Sequence, residues 1–181
     1  MCALINAEWL SQVQIRLGGE EDLPGLEWQG EYIHFRRLYR QVYQNACDGK
    51  ACIWVAELEQ ARIIGQVFVQ FSSSRIELAD GETRAYVYGF RVQPAYRGSG
   101  VGTKLLEQVE QDLQKRHFQW VTLNVSRQNL GAQRFYKRNG YQIVAAEAGR
   151  WSYTDHLGTR REVDEPAWRM QKSLPGETSG S

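Results

Sequence analysis

Residues 86–102, YVYGFRVQPAYRGSGVG, constrain the fold more than any other stretch of the chain. Aromatic and β-branched residues crowd into the first half. Tyr86, Tyr88, Phe90 and Val92 fall on one parity, which predicts a strand over 86–92. Pro94 ends that strand, because proline cannot donate to a sheet ladder. Arg97-Gly98-Ser99-Gly100-Val101-Gly102 follows, and Val101, Leu105, Leu106, Val109 and Leu113 then gather on one helical face. A strand, a glycine-rich turn and a helix start, in that order, bring bare backbone N–H groups together where the helix dipole is positive. The stretch therefore reads as an anion site, although a tight strand-to-helix turn also uses glycine for its own sake.

Two familiar phosphate loops fail here. A P-loop requires Lys-Ser/Thr after its second glycine, whereas Lys104 follows Thr103. A dinucleotide fingerprint starting at Gly98 and Gly100 needs a third glycine where Thr103 stands. The pattern that fits is Arg/Gln-x-x-Gly-x-Gly/Ala, filled by Arg97, Gly100 and Gly102 after a Val-x-Pro.

The rest of the chain supplies elements around this centre. Val13–Leu17 alternates as a short strand. Glu20, Glu21 and Asp22 then suit a helix start, with Pro24 in the first turn. A second helix is expected over Tyr32–Cys47, where Tyr32, Phe35, Leu38, Tyr39, Val42 and Tyr43 recur at helical steps. ACIWVAEL (51–58) and IIGQVFVQF (63–71) read as antiparallel strands, and 72–84 as a loop. After the helix from 101 to about 116 come a strand at 120–125, a short helix over 130–139 capped by Gly140, and a strand at 141–146. Residues 151–155 and 167–174 form an extended C-terminal strand pair around a charged run, 160–165. The expected division is a loosely ordered 1–12, one domain over 13–174 and a flexible tail at 175–181, with no internal repeat.

Composition excludes several classes. A formal net charge of +1 gives no field to recruit nucleic acid, and no apolar run approaches the roughly 20 residues of a membrane span. Cys2, Cys47 and Cys52 have neither metal-ligand spacing nor the even count of a disulfide framework. With no signal-peptide pattern, a cytoplasmic protein without a metal is expected.

A second motif sits downstream. Asn129-Leu130-Gly131-Ala132-Gln133-Arg134-Phe135-Tyr136 fills Asn-x-x-Ala-x-x-x-Tyr, and Gly140-Tyr141 leads into the next strand. With the Arg97–Gly102 loop and this order of elements, the chain resembles the GNAT family of N-acetyltransferases over nearly its whole length. The resemblance implies an α/β fold with a mixed, twisted, mostly antiparallel sheet flanked by helices, and acetyl-CoA as acyl donor. It also implies site roles. Phe90, Arg91 and Val92 would meet the pantetheine arm along the strand. Arg97, Gly98, Ser99, Gly100, Val101, Gly102 and Thr103 would cradle the pyrophosphate. Asn129 and Ala132 would border the pantetheine. Tyr136 would protonate the leaving thiolate. Gly89 would mark a bulge where strands 86–92 and 120–125 splay.

Where many family members carry a glutamate on the central strand, residues 85–92 hold no carboxylate. Glu57, Glu77, His34, Asp155 and His156 remain as candidate bases, beside a water chain or an amine that arrives neutral. Trp28, Tyr32, His34, Tyr86, Tyr88 and Trp151, with Tyr153, are the candidate acceptor wall. Aromatic faces suit a cation, so a polyamine-like or amino-acid-derived acceptor is expected over an acidic one. Acetylation of a protein or peptide amine, through an open groove beside 152–166, and a non-catalytic acyl-CoA sensor are the alternatives. A homodimer paired through the extra strands is compatible with the family.

Overall fold

The computed structural model describes residues 8–59 and 62–176. Seven strands form one sheet in the order β1-β2-β3-β4-β5-β9-β6, with β1 Gln14–Leu17, β2 Ala51–Leu58, β3 Arg62–Gln70, β4 Arg84–Val92, β5 Trp120–Ser126, β6 Gln142–Glu147 and β9 Ala167–Ser173. All pairs are antiparallel except β4–β5. The remaining two strands, β7 Arg150–Thr154 and β8 Arg160–Asp164, make a separate hairpin. Helices are α1 Arg36–Cys47, α2 Val101–Lys115 and α3 Leu130–Arg138.

Strands β2 and β3 are buried along nearly their whole length because both sheet faces are covered. Alternation splits them: Ile53, Val55 and Phe68 pack with Leu26, Tyr39 and Val42, while Cys52, Trp54, Val67 and Val69 pack with α2 and α3. The α2 stripe behaves as its spacing predicts, with Val101, Leu105, Leu106, Val109 and Leu113 all fully buried. Each such side chain contributes about 1.5–3 kcal/mol over leaving it in water. Among the described residues, no helix is long and apolar enough to cross a membrane, and no His, Cys, Asp or Glu cluster could hold a metal ion.

The structure departs from the sequence-based expectation in three places. The segment Glu20–Gly30 is 3₁₀ rather than α-helical, and Trp28 and Gln29 leave helical geometry with φ of 46° and 57°. The helix expected from Tyr32 begins at Arg36, behind a 3₁₀ turn at Ile33–Phe35, and no side chain caps it. The charged run at 160–164 is strand β8, and it takes the place expected of 167–174 as the partner of β7, while β9 lies inside the main sheet between β5 and β6. The β7–β8 register sets Trp151 opposite Val163 and Arg150 opposite Asp164, so cross-strand pairs replace a hydrophobic alternation.

The expected boundaries meet some defined contacts. The Trp9 ring packs edge-on against Tyr96 at 5.4 Å, and the Leu10 carbonyl accepts a hydrogen bond from Lys104 Nζ at 3.1 Å. The Pro175 carbonyl accepts one from Gln114 Nε2. Residues 1–7 and 177–181, including Cys2, lie outside the described residues.

Candidate active site

Strand β4 carries one residue more than its partner can match. Gln66 pairs with Arg91 and Phe68 with Tyr88, so Val67 faces both Gly89 and Phe90. That is a β-bulge, and Gly89 adopts φ +58° within it. The extra residue breaks the parity expected from the sequence. Tyr88 packs on the Phe68 side of the sheet, whereas Phe90 and Val92 pack with the α2–α3 core and Arg91, in contact with Tyr32, Phe35 and Tyr39, changes sides to join Tyr88. Beyond the bulge, β4 and β5 part: their parallel pairing ends at Val87–Leu123, although both strands continue.

A cleft of about 760 Å³ opens at this parting. The structure gathers Phe90, Arg91, Val92, Arg97, Gly98, Gly100, Gly102, Thr103, Asn129, Ala132 and Tyr136 around it. Ser99 and Val101 do not line it. The Ser99 hydroxyl instead donates to the Tyr96 carbonyl, and Val101 is buried in the core, which leaves only its backbone to the loop. Gly98 and Gly100 hold left-handed backbone, φ +70° and +102°, and no side chain caps α2. The first-turn N–H groups are therefore open to an anion, and a Cβ on Gly98 would meet no protein atom within 4 Å. Arg97 is braced by its Nε donating to the Val92 carbonyl at 2.8 Å. This cradle fits the pyrophosphate of acetyl-CoA.

The second motif forms the opposite wall. Asn129 caps α3, its Oδ1 accepting from the Ala132 N–H at 3.0 Å, so its amide nitrogen is the group left for a ligand. Tyr136 sits edge-to-face with Phe90 and Phe135, at 6.2 and 5.3 Å between ring centres. Burial pushes its hydroxyl pKa far above the ordinary range, so the phenol is protonated at neutral pH. Phe135 was missed by sequence reasoning. It occupies a variable position of the motif, and its only signal was the hydrophobic spacing of a short helix.

On the far side of the bulge lies an aromatic wall. Tyr32 reaches the cleft, while Trp28, His34, Tyr86, Tyr88 and Trp151 do not line it. Trp28 is buried edge-on against Tyr32. Tyr86 and Tyr88 stack at 5.5 Å, and burial pushes both hydroxyls up to about 12. Phe35 meets Tyr153 at 4.8 Å and Trp151 at 6.3 Å, while His34 lies 6.0 Å from Tyr153, so the β7–β8 hairpin rests on the start of α1.

Of the expected cation-binding faces, that of Tyr32 is already occupied. The Arg91 guanidinium lies over Tyr32 at 4.2 Å and Phe35 at 5.1 Å, and its Nη1 donates to the Tyr39 hydroxyl at 3.0 Å. A cationic acceptor would meet like charge at that face.

The candidate carboxylate bases are engaged elsewhere. Glu57 accepts from Arg16 on the β1–β2 edge, two strands from β4. Glu77 pairs with Arg75 and stays ionised, held by backbone and Arg75 hydrogen bonds. Asp155 accepts from the Leu157 and Thr159 N–H groups and from Arg161, locking the hairpin turn. Burial, and then the Arg91 charge, lower the His34 pKa and favour its neutral form.

Comparison with known proteins agrees with this geometry. Residues 21–141, more than half of the chain, match the family described as the acetyltransferase (GNAT) family. Among solved structures, Ard1 from Thermoplasma volcanium superposes with a TM-score of 0.69 at 18% identity, covering 91% of this chain and 99% of that one. Arabidopsis thaliana NAA60 in complex with acetyl-CoA gives 0.68 at 20% identity, with 91% and 99% covered. A spermidine N-acetyltransferase SpeG chimera from Vibrio cholerae gives 0.67 at 17% identity, with 90% and 96% covered. At these identities the structural likeness shows the fold, and the family match carries the assignment. The chain belongs to the GNAT acetyltransferase family and is an acyltransferase that uses acetyl-CoA as its acyl donor.

Proposed function

We propose that the protein moves the acetyl group of acetyl-CoA directly to the primary amine of a small molecule, with Tyr136 as general acid. In this reading the amine nitrogen attacks the thioester carbonyl, and a β4 N–H in the 90–92 region, freed of β5, stabilises the oxyanion. The C–S bond then breaks. Tyr136 gives its proton to the thiolate and regains one from solvent, while the nitrogen loses its extra proton to solvent. The high pKa that burial imposes on Tyr136 keeps the phenol in the protonated form that a general acid needs.

One observation favours a small acceptor over a peptide. A peptide needs an open groove between the N-terminal helical region and residues 152–166. That gap is bridged by Phe35 against Tyr153 at 4.8 Å and by His34 against Tyr153 at 6.0 Å. Release of CoA, followed across a panel of small amines and of peptides with free N-termini or lysines, tests the reading. Turnover of small amines supports it, turnover of peptides alone overturns it, and acetyl-CoA binding without any turnover indicates a sensor. The three free-standing features of the cytoplasmic reading, the exposed Cys47 thiol, the buried Cys52 thiol and the ordinary composition, suit a reducing compartment.

A further inference from the structure

The bulge at Gly89 leaves a cation at the mouth of the cleft with its charge uncompensated. Arg91 and Tyr32 both line the cleft beside Phe90 and Tyr136. A guanidinium carries five N–H donors, and the Tyr39 hydroxyl takes one of them. Among the described residues no carboxylate lies within ion-pair distance of Arg91. Arg16, Arg75, Arg161 and Arg169 by contrast are each paired with at least one. The aromatic rings beneath Arg91 hold the group in place and keep it partly out of water, where an unmatched charge costs most.

A second polar group sits beside it. Gln66 is fully buried opposite Arg91 in the ladder, and its amide has the Tyr39 hydroxyl as its neighbour, at the margin of hydrogen-bond geometry. Buried polar groups are ordinarily satisfied, and the part of this cluster that reaches the cleft with spare donors is the Arg91 guanidinium.

We propose that Arg91 is the acceptor-binding residue, and that the acceptor is a small amino acid whose carboxylate pairs with the guanidinium. The proposal rests on the acetyl-transfer reading above and narrows its substrate class. Planar carboxylate geometry matches the guanidinium fork, and two parallel N–H···O bonds fix both position and orientation. A carboxylate anchored there sets the attached amine beside the parted strands. The partly desolvated aromatic wall around that pair disfavours the ammonium form of the amine and so presents the neutral nucleophile. A polyamine lacks the anionic group and would be repelled.

The test compares each proteinogenic amino acid, and ω-amino acids of increasing length, with its primary carboxamide. CoA release is measured for the wild type, Arg91→Gln and Arg91→Lys. For the best acceptor the acid should exceed the amide in kcat/KM by about 10- to 100-fold, the range for a charged hydrogen bond. Arg91→Gln should collapse that ratio toward one, chiefly through the KM of the acid, and Arg91→Lys should restore part of it. Comparing ratios between variants cancels the difference in amine basicity between acid and amide. Amides that match their acids in the wild type, or a ratio that survives Arg91→Gln, would overturn the proposal, as would turnover of polyamines or peptides only.

Calorimetric titration of the same acids into the protein–CoA complex reads the carboxylate site without turnover. Should no amine be acetylated, the transfer reading fails on its own, while binding of an acid to wild type but not to Arg91→Gln still supports the site. Absence of binding to both overturns it. Unfolding curves of the variants show whether Arg91→Gln is folded, and Arg91→Lys gives the answer if it is not.

Discussion

Replacing Gly89 by alanine tests the bulge on which the whole site depends. Two costs can be worked from the geometry. The backbone sits at φ +58°, where an added Cβ crowds the following carbonyl, at about 1–2 kcal/mol. That Cβ would also lie 2.7 Å from Phe68 Cε2 and closer still to Cδ2, far inside van der Waals contact. Phe68 has nowhere to go. It is 1% exposed and wedged edge-on between Tyr39 at 5.6 Å and Tyr88 at 5.5 Å. Overpacking of this kind costs about 1–3 kcal/mol. The sum, about 2–5 kcal/mol, is a large part of the roughly 5–15 kcal/mol that holds a typical domain together. Urea unfolding of Gly89→Ala should therefore show a large fall in midpoint, and CoA release should fall with it as Arg91 and Phe90 lose their places. Repeating the substitution in a Phe68→Leu background separates the terms. Without the ring the clash is relieved, and the second substitution should cost only the backbone part, about 1–2 kcal/mol. A cost below about 1 kcal/mol in the wild type, or equal costs in both backgrounds, would refute the reasoning.

Four further outcomes are expected. Tyr136→Phe should lower kcat by about 10²-fold with little change in acetyl-CoA affinity, and an unaltered kcat would remove the acid role. Gly98→Ala should cost only about 1 kcal/mol in unfolding but weaken acetyl-CoA binding by about tenfold or more in titration calorimetry, because the new methyl stands in open space where the pyrophosphate would approach. Asp80 loses some solvation on folding, but its hydrogen bonds from the Thr83 hydroxyl and the N–H groups of Glu82, Thr83 and Arg84 outweigh this and depress its pKa. Its stabilising effect is thus present above the ordinary carboxylate pKa of about 3.9 and is lost as pH falls below it, so Asp80→Asn should flatten that acid limb in unfolding measured against pH. Finally, the alkaline-rising limb of kcat/KM should follow the basicity of the acceptor, shifting from one amine to another. A limb fixed across acceptors would point to an enzymic base.

The parts legible in the sequence were those governed by local pattern. The α2 stripe from Val101 to Leu113 declares its period, and the glycines at 98 and 100 declare a turn that needs positive φ. Gly89 could be suspected as a bulge, but its consequence could not be read: one extra residue moves Arg91 across the sheet, and only the register with Gln66 and Phe68 reveals it. Strand β8 was hidden because its partner supplies complementarity through charges and Trp151 rather than through alternation. The Asp155–Gly158 turn, where Asp155 accepts from Leu157 and Thr159, was the available signal. The 3₁₀ course of 20–35 was hidden for another reason: acidic residues and Pro24 favour any helical start, and packing of Leu26 and Trp28 decides which one forms.

The missing carboxylate on β4 looks different once the wall is assembled. Tyr86 and Tyr88 occupy the strand positions available to it, and at about 12 their hydroxyls accept no proton from an amine at neutral pH. Glu57, Glu77 and Asp155 are each held by an arginine, which fixes their direction, and backbone hydrogen bonds together with the arginine lower the pKa of Glu77 and of Asp155. A base would have to compete with those partners. Lowering the pKa of the amine itself avoids the competition. Buried aromatic surface penalises the ammonium ion, and it acts on the substrate before the reaction rather than on a residue during it. On this argument the bulge, the aromatic wall and the absent carboxylate are one arrangement: a site that binds its acceptor through an anion can leave the nitrogen neutral without a dedicated base.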